Sequence, residues 1–243
     1  ILSLMAILTL ILPPLIERVN LSDARFFSMT VGITFALQML IPELQGTGVW
    51  SDHISGEAPS TIVSNLFFTG TYPVFPWFLF ALLGAVVSQQ TFSEGQSLPY
   101  TPRVGYSVSI GVLFCIATLL HSQMNDLLWA HPTADATLTF FPANPPFLIA
   151  GMTGVVLLWL LIQRFGFFFL NSTGKLSLTI YLIHFVPLTL MRDFEVTHQW
   201  GLQTSTLAVL LYTLAWIPVA TLWLRRYPRA SAENVLRAIR KSL

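Results

Sequence analysis

Residues 204–226 read TSTLAVLLYTLAWIPVATLWLRR, and this stretch decides the fold class. It contains no Asp, Glu, Lys or Arg before Arg225. At a rise of about 1.5 Å per residue, a helix of about 20 mostly apolar residues crosses the hydrocarbon core of a bilayer. The stretch therefore predicts a transmembrane helix, and the two arginines that follow it mark one end of that helix.

The composition of the whole chain agrees with this prediction. Of its 243 residues, 54% are hydrophobic and 9% are charged, and the mean hydropathy is +0.68. Soluble domains carry about 25% charged residues, because water has to solvate their surface. The composition thus excludes a soluble globular protein and makes the lipid bilayer the first predicted partner. The net charge of +1 gives no indication of nucleic-acid binding.

Six further apolar stretches predict helices of the same kind. We therefore expect an all-α, polytopic transmembrane bundle of about seven helices, with a membrane domain over residues 1–224 and a basic amphipathic tail over residues 225–243. The predicted helices are Ile1–Ile16, Phe26–Ile41, Tyr72–Ser88, Val104–Leu120, Phe147–Gln163, Leu176–Met191 and Thr204–Leu224.

The loops between these helices carry an alternating charge. All but one of the 12 Lys and Arg residues fall in the first, third and fifth loops and in the tail, and Arg192 is the exception. Cytoplasmic loops of membrane proteins accumulate Lys and Arg. This alternation predicts an integral membrane protein of the cell membrane with a cytoplasmic C-terminus. The long loops 42–71 and 122–146 then lie outside the cytoplasm.

Acidic and aromatic side chains alternate in these two long loops, which include Asp52, Trp129 and Phe140. One interpretation is a vestibule that binds a polar molecule, because long loops are often functional. The alternative is that the aromatic rings are interfacial anchors and the acids are simply solvated. Both interpretations stay open at this point.

One ionisable residue lies deep within a predicted helix. His184 follows Lys175 by nine residues, which places it about 13 Å from the cytoplasmic end and close to the midplane. Ser177, Tyr181 and His184 share one helix face, and Pro187 removes a backbone donor beside them. His184 is either a general base or proton carrier, or a neutral imidazole that joins neighbouring helices. The sequence shows no metal-ligand cluster, so we predict no metal.

Three segments, in this order along the chain, resemble those of a known family. They are GTYPVFPWFLFALLG (70–84), FPANPPFLIAGMTG (141–154) and GKLSLTIYLIH (174–184). Together they are similar to the bacterial and archaeal relatives of heparan-alpha-glucosaminide N-acetyltransferase. The family's early segment, a D-x-x-RG helix start with its usual catalytic histidine, would lie before Ile1. Either a longer parent protein supplies this histidine, or the chain is inactive alone.

The resemblance implies an acyltransferase that moves an acyl group, such as acetyl, from cytoplasmic acyl-CoA to an extracytoplasmic glycan or other polar acceptor. By position, it implies that Lys175, Ser177, Tyr181 and His184 line the acyl path, and we expect His184 and Tyr181 to be catalytic. Four residues are expected to bind the CoA co-substrate and three the acceptor. The CoA-binding residues are Lys175, Ser177, Arg103 and Arg164, and the acceptor-binding residues are Tyr72, Trp77 and Asn144.

Two other functions remain open from the residues themselves. A transporter or flippase would use the polar helix face that includes His184 to line a conduit. Transporters usually have paired interrupted helices in two related halves, and such pairs are not evident in this sequence. A structural membrane subunit would use the same face only for packing. The sequence also leaves open whether the protein is a homo-oligomer.

Overall fold

The computed structural model describes residues 2–22, 25–54, 56, 58–93, 97–132 and 135–242, and within these ranges the chain is mainly helical. The helices are α1 (Leu2–Ser22), α2 (Arg25–Leu40), α3 (Trp50–Ile54), α4 (Pro59–Ser64), α5 (Val74–Ser93), α6 (Pro102–Met124), α7 (Pro145–Phe165), α8 (Asn171–Lys175), α9 (Ser177–Ile183), α10 (Phe185–His198), α11 (Leu202–Arg226) and α12 (Ala232–Ser242). Two short strands, β1 (Leu128–His131) and β2 (Ala136–Thr139), pair in parallel. The predicted all-α class is confirmed.

The predicted number of spans is not confirmed. Among the described residues, four segments are long and apolar enough to cross a bilayer, and a fifth qualifies if a bent helix pair counts as one span. The predicted helix Phe26–Ile41 corresponds to α2, whose 16 residues rise only about 24 Å. In α1, Glu17 and Arg18 shorten the apolar stretch, and Ile1 lies outside the described residues. The four segments are Pro59–Thr91, Pro102–Met124, Pro145–Phe165 and Gln203–Arg226, and the bent pair is Phe168–Lys175 with Ser177–Glu195.

The outer faces of these helices are apolar and exposed. Ile110 on α6 is 68% exposed, Leu158 on α7 is 56% exposed and Leu210 on α11 is 55% exposed. Only 6% of the apolar window in Pro145–Phe165 is buried inside the chain. A soluble protein rarely exposes so much contiguous apolar surface. Lipid is therefore the natural surrounding for these faces.

The chain divides into two compact units, Ile1–Arg164 and Phe165–Leu243, which we call the N-terminal and C-terminal units. The core of the N-terminal unit lies around α5, which contacts both α1 and α2. Leu79 and Leu82 on α5 and Leu148 on α7 are all 0% exposed. Since lipid is as apolar as these side chains, their packing is stabilised mainly by close van der Waals contact.

Helices α6 and α7 form an antiparallel pair in the N-terminal unit. A Cβ atom at Gly111 on α6 would lie 2.1 Å from Thr153 Oγ1 on α7, so only glycine allows this approach. At one end of the pair, the Leu98 amide donates to Gln163 Oε1 at 2.9 Å, and Gln163 Nε2 donates to the Leu98 carbonyl at 2.7 Å. These contacts bring the beginning of α6 and the end of α7 to the same end of the unit.

The C-terminal unit contains the broken helix predicted as Leu176–Met191. Helix α8 ends at Lys175, and the axis bends by 63° before the segment that begins at Ser177. A turn at His184 then separates α9 from α10. Helix α11 contacts α8, and the tail helix α12 contacts α9. Within the predicted tail 225–243, Arg225 and Arg226 are the last residues of α11, and α12 packs on the beginning of α9.

Candidate functional site

An aromatic cleft lies in the N-terminal unit, where α2 and α5 meet the two long loops. It is narrow: the centre of a water-sized sphere can occupy about 10 Å³ of it, which is room for one water molecule. The residues that line it come from positions 38–45, 68–77 and 140–143, and none of the lining residues is Asp, Glu, Lys, Arg or His. The acids of the long loops therefore do not form its wall. We call this feature the aromatic cleft; its main lining side chains are Gln38, Gln45, Trp77, Phe140 and Phe141.

Two of the predicted acceptor-binding residues pack together at this cleft. Trp77 lines the cleft, and its ring centroid lies 5.1 Å from that of Phe140 in an edge-to-face arrangement. Tyr72 lies beside it, with ring centroids 5.2 Å from Trp77 and 5.7 Å from Phe140. Such edge-to-face pairs stabilise each other by about 0.5–1.5 kcal/mol beyond area burial. The rings of Tyr72, Trp77 and Phe140 therefore pack as one aromatic cluster.

The third of these residues, Asn144, has a structural position. Its Oδ1 atom accepts hydrogen bonds from the Phe147 amide at 3.0 Å and the Thr139 amide at 3.2 Å. Its Nδ2 atom donates to the Thr137 carbonyl at 3.0 Å. Asn144 therefore caps the N-terminus of α7 and holds the end of β2 against it. This arrangement fixes the segment 140–143, which forms one side of the aromatic cleft.

Gln38 was not among the predicted site residues, yet it is 1% exposed and lines the cleft. Its Nε2 atom donates to the Ala143 carbonyl at 2.8 Å. The backbone carbonyl of Gln38 accepts a hydrogen bond from Gln45 Nε2 at 2.7 Å. A glutamine within an otherwise apolar stretch is the sequence signal that could have identified it.

His53 also was not predicted as a site residue, and it is 5% exposed. Its Nε2 atom lies 2.6 Å from the Thr47 carbonyl, and Nδ1 contacts the Thr69 carbonyl. Its ring lies 5.7 Å from that of Phe141. These contacts hold Thr47 and Thr69, near the two ends of loop 42–71, together beside the aromatic cleft. The loop is therefore folded, and its residues Gln45 and Phe68 line the cleft.

In the C-terminal unit, Tyr181 and His184 lie together at the turn between α9 and α10, with ring centroids 5.6 Å apart. His184 Nδ1 lies 2.6 Å from the Tyr181 carbonyl oxygen. Because a carbonyl oxygen can only accept, Nδ1 carries the hydrogen in the neutral ring, and the lone pair is on Nε2. The Tyr212 hydroxyl donates to the His184 carbonyl at 2.7 Å. The histidine is thus held in the tautomer that can act as a base through Nε2.

The predicted CoA-binding residues of this unit flank the 63° bend. Lys175 is the last residue of α8 and Ser177 is the first residue of α9, and both are exposed. Leu176 between them is 2% exposed and anchors the bend. A cation and a hydroxyl group therefore lie on the two sides of the bend.

Glu233 of the tail helix binds to the same helix end. Its Oε1 atom accepts from the amides of Leu178 at 2.8 Å and Thr179 at 3.0 Å, and its Oε2 atom accepts from Thr179 Oγ1 at 2.6 Å. Burial raises the pKa of Glu233, but these hydrogen bonds outweigh it and hold the pKa below its ordinary value of 4.5. A residue 54 positions away in the sequence caps α9, and no local pattern predicts this contact.

Arg103 and Arg164 lie in the N-terminal unit. Arg103 is in the first turn of α6 and Arg164 in the last turn of α7, and both are exposed. The hydrogen bonds between Leu98 and Gln163 bring these two helix termini to the same end of the unit. The two predicted cations are therefore on one side of it.

Within the described residues, no group of three or more His, Cys, Asp or Glu side chains is arranged to hold a metal ion.

Comparison with known proteins gives the class of the chain. Residues 1–225 match a family described as an acyltransferase domain. No curated protein and no solved structure matches the chain. The family match covers the N-terminal unit, the C-terminal unit up to residue 225 and all the predicted site residues. Together with the apolar spans, it shows that the chain belongs to the acyltransferase domain family and is an integral membrane acyltransferase.

Proposed function

We propose that the protein transfers an acyl group, such as acetyl, from acyl-CoA on the cytoplasmic side to a glycan or other polar acceptor on the outer side. The observation that carries this proposal is the acyltransferase match over residues 1–225. The alternating loop charges support the direction of transfer, because they predict that cations face the cytoplasm. The resemblance to relatives of heparan-alpha-glucosaminide N-acetyltransferase supports the choice of donor and acceptor.

His184 is proposed to move the proton in this reaction. Its Nδ1 hydrogen is held by the Tyr181 carbonyl, so Nε2 can accept a proton from an acceptor hydroxyl. The hydroxyl oxygen forms a bond to the acyl carbonyl carbon, and the carbon–sulfur bond to CoA breaks. The proton then passes to the CoA sulfur, and CoA leaves as the thiol. Tyr181 fixes the histidine tautomer through its carbonyl and packs beside the imidazole with its ring.

The CoA moiety is proposed to bind through cations on the predicted cytoplasmic side. CoA carries phosphate groups, which Arg binds through paired hydrogen bonds and Lys binds as a point charge. In the N-terminal unit these cations are Arg103 and Arg164. In the C-terminal unit, Lys175 supplies a cation, and Ser177 supplies a hydroxyl group beside it.

The acceptor is proposed to bind at the aromatic cleft. Trp77 presents an aromatic ring at the cleft, against which the less polar face of a sugar ring can lie, and Tyr72 supports that ring by packing edge-to-face with it. Asn144 holds the segment 140–143, which also lines the cleft. Its proposed contribution is therefore to shape the cleft.

The test is acetyl transfer from labelled acetyl-CoA by the full-length protein in membranes, compared with a His184→Gln variant. Loss of a general base typically lowers the rate by about 100- to 10,000-fold, and we expect a loss in this range. His198→Gln is a matched control, because His198 is exposed and its ring stacks on Phe194 at the end of α10. An unchanged rate in folded His184→Gln would remove His184 from the mechanism.

A further inference from the structure

The tail helix α12 has an exposed apolar side. Val235, Leu236 and Ile239 lie on this side, because residues three or four positions apart share a helix face. Their side chains are 58%, 54% and 51% exposed, respectively. Large apolar side chains that cluster on one exposed helix face are typical of a surface that binds a second apolar surface. We call these three residues the apolar face of α12.

The charges around α12 are almost all positive. Residues 225–243 contain six of the 12 Lys and Arg residues of the chain and a single acidic residue, Glu233, whose carboxylate is bound to the beginning of α9. Arg237 lies two residues from both Val235 and Ile239, which at about 100° per residue places it on the opposite side of the helix. Three more exposed cations precede the helix, namely Arg225, Arg226 and Arg229. This region therefore complements a negatively charged surface.

Hydrogen bonds hold the connection to α12 against the last turns of α11. The Trp223 indole N–H donates to the Ala230 carbonyl at 2.7 Å, and Asn234 Nδ2 donates to the Pro228 carbonyl at 2.9 Å. Trp223 belongs to the apolar span Gln203–Arg226, close to its charged end. Tryptophan and arginine at the end of a span mark the boundary between hydrocarbon and lipid headgroups. Helix α12 therefore begins at the level of the headgroups.

The beginning of α12 is held on α9 as well. The Ala232 amide donates to Thr179 Oγ1 at 2.9 Å, and Glu233 Oε1 accepts from the Thr179 amide at 3.0 Å. These bonds use the first turn of α12 and leave its apolar face exposed. Because α12 is held near both α9 and the end of α11, its apolar face stays close to the membrane surface.

We propose that α12 binds the surface of a membrane that contains anionic lipids. Its apolar face inserts just below the headgroups, and the arginines of the region bind the anionic headgroups. A lipid surface is the occupant that matches both features, since the hydrocarbon around α11 reaches the level at which α12 begins. The proposal goes beyond acyl transfer and does not depend on it.

The first test compares amide exchange of α12 in the full-length wild-type protein, with one copy per nanodisc. One set of nanodiscs contains only phosphatidylcholine, and the other also contains the anionic lipid phosphatidylglycerol. We expect the amides of α12 to exchange about 10- to 100-fold more slowly with the anionic lipid, because each cation near such a surface adds about a five-fold factor. High salt should remove most of this difference by screening the charges.

Two variants identify the cations that are responsible. Arg237→Gln should lose about five-fold of the protection in anionic nanodiscs. Arg192→Gln is the matched control, because it removes an exposed cation of α10 and should leave the exchange of α12 unchanged. Equal exchange of the wild type in the two lipids would overturn the proposal. Protection that appears only with two copies per nanodisc would also overturn it, and would assign the apolar face to a second copy of the chain.

The second test measures the depth of the apolar face. Cys115, the single cysteine of the chain, is replaced by alanine, and a fluorophore is attached through Leu236→Cys or Ala238→Cys. These positions lie two residues apart and therefore on nearly opposite sides of α12. A quencher on the lipid tail, close to the headgroup, should act at least about two-fold more strongly at position 236, because the apolar face of such a helix lies about 5–10 Å deep. Equal quenching at both positions, or none at either, would overturn the proposal.

Discussion

The contact between Glu233 and the beginning of α9 gives a prediction that depends on three hydrogen bonds. Glu233→Ala removes the acceptors of the Leu178 amide, the Thr179 amide and the Thr179 hydroxyl. Loss of an N-terminal cap costs about 0.5–2 kcal/mol, and a hydrogen bond to a charged group contributes about 1.5–3 kcal/mol. Because the carboxylate is partly exposed, water replaces some of these bonds, and we expect a net loss of about 2 kcal/mol.

Hydrogen–deuterium exchange of the full-length protein in nanodiscs measures this loss directly. A change of 2 kcal/mol corresponds to about a 30-fold faster exchange at the amides of Leu178 and Thr179, since about 1.4 kcal/mol is a factor of ten. Glu195→Ala is the control, because it removes an exposed carboxylate of α10 that accepts a hydrogen bond from Ser205 Oγ at 3.2 Å. The control should leave both amides protected.

Equal protection in Glu233→Ala and the wild type would refute the reasoning, because α9 would then hold its first turn without the tail. Faster exchange throughout the C-terminal unit would instead show that Glu233 stabilises the whole unit. Only a change confined to the beginning of α9 and to α12 supports a local cap.

Three further predictions follow from other contacts. The pKa of Glu233 lies below its ordinary value of 4.5, so the stabilisation by its carboxylate is complete above pH 4.5 and is lost as the pH falls through the lower pKa of the folded protein. Amide exchange at α9, corrected for the intrinsic rate, should therefore rise in acid for the wild type but not for Glu233→Ala. Gly111→Ala should lower stability by about 1–3 kcal/mol through its clash with Thr153, as measured by thermal unfolding in detergent, while Gly154→Ala, which has open space, should not. Asn144→Ala should cost about 1–2 kcal/mol in the same assay, and an unchanged melting temperature would contradict its role as a cap.

Much of the helical framework was predictable from local sequence. Each predicted helix overlaps a helix of the structure, because a long apolar stretch has few alternatives in lipid, where backbone groups must bond within the segment. The positions of Tyr181 and His184 at one turn also follow from their spacing. The number of spans was less predictable, because α2 is short and the segment from α8 to α10 bends at Leu176.

The contacts that organise the candidate sites were not predictable from local sequence. Gln38 bonds to Ala143, 105 residues away, and Glu233 bonds to Thr179, 54 residues away. Such pairings depend on how helices pack, which helix periodicity does not encode. The cap at Asn144 is different, because an asparagine directly before Pro145 and an apolar stretch is a known helix-start signal.

The central claim is acyl transfer across the membrane, and sealed inside-out vesicles that contain the full-length protein test it most directly. Acetyl-CoA labelled in the acetyl group is added outside, on the side that faced the cytoplasm, and the label inside the vesicles is measured. We predict that label accumulates on polar material in the lumen, with one CoA thiol released outside for each acetyl group transferred. Label that stays on CoA, or that appears only on material outside the vesicles, would contradict the account.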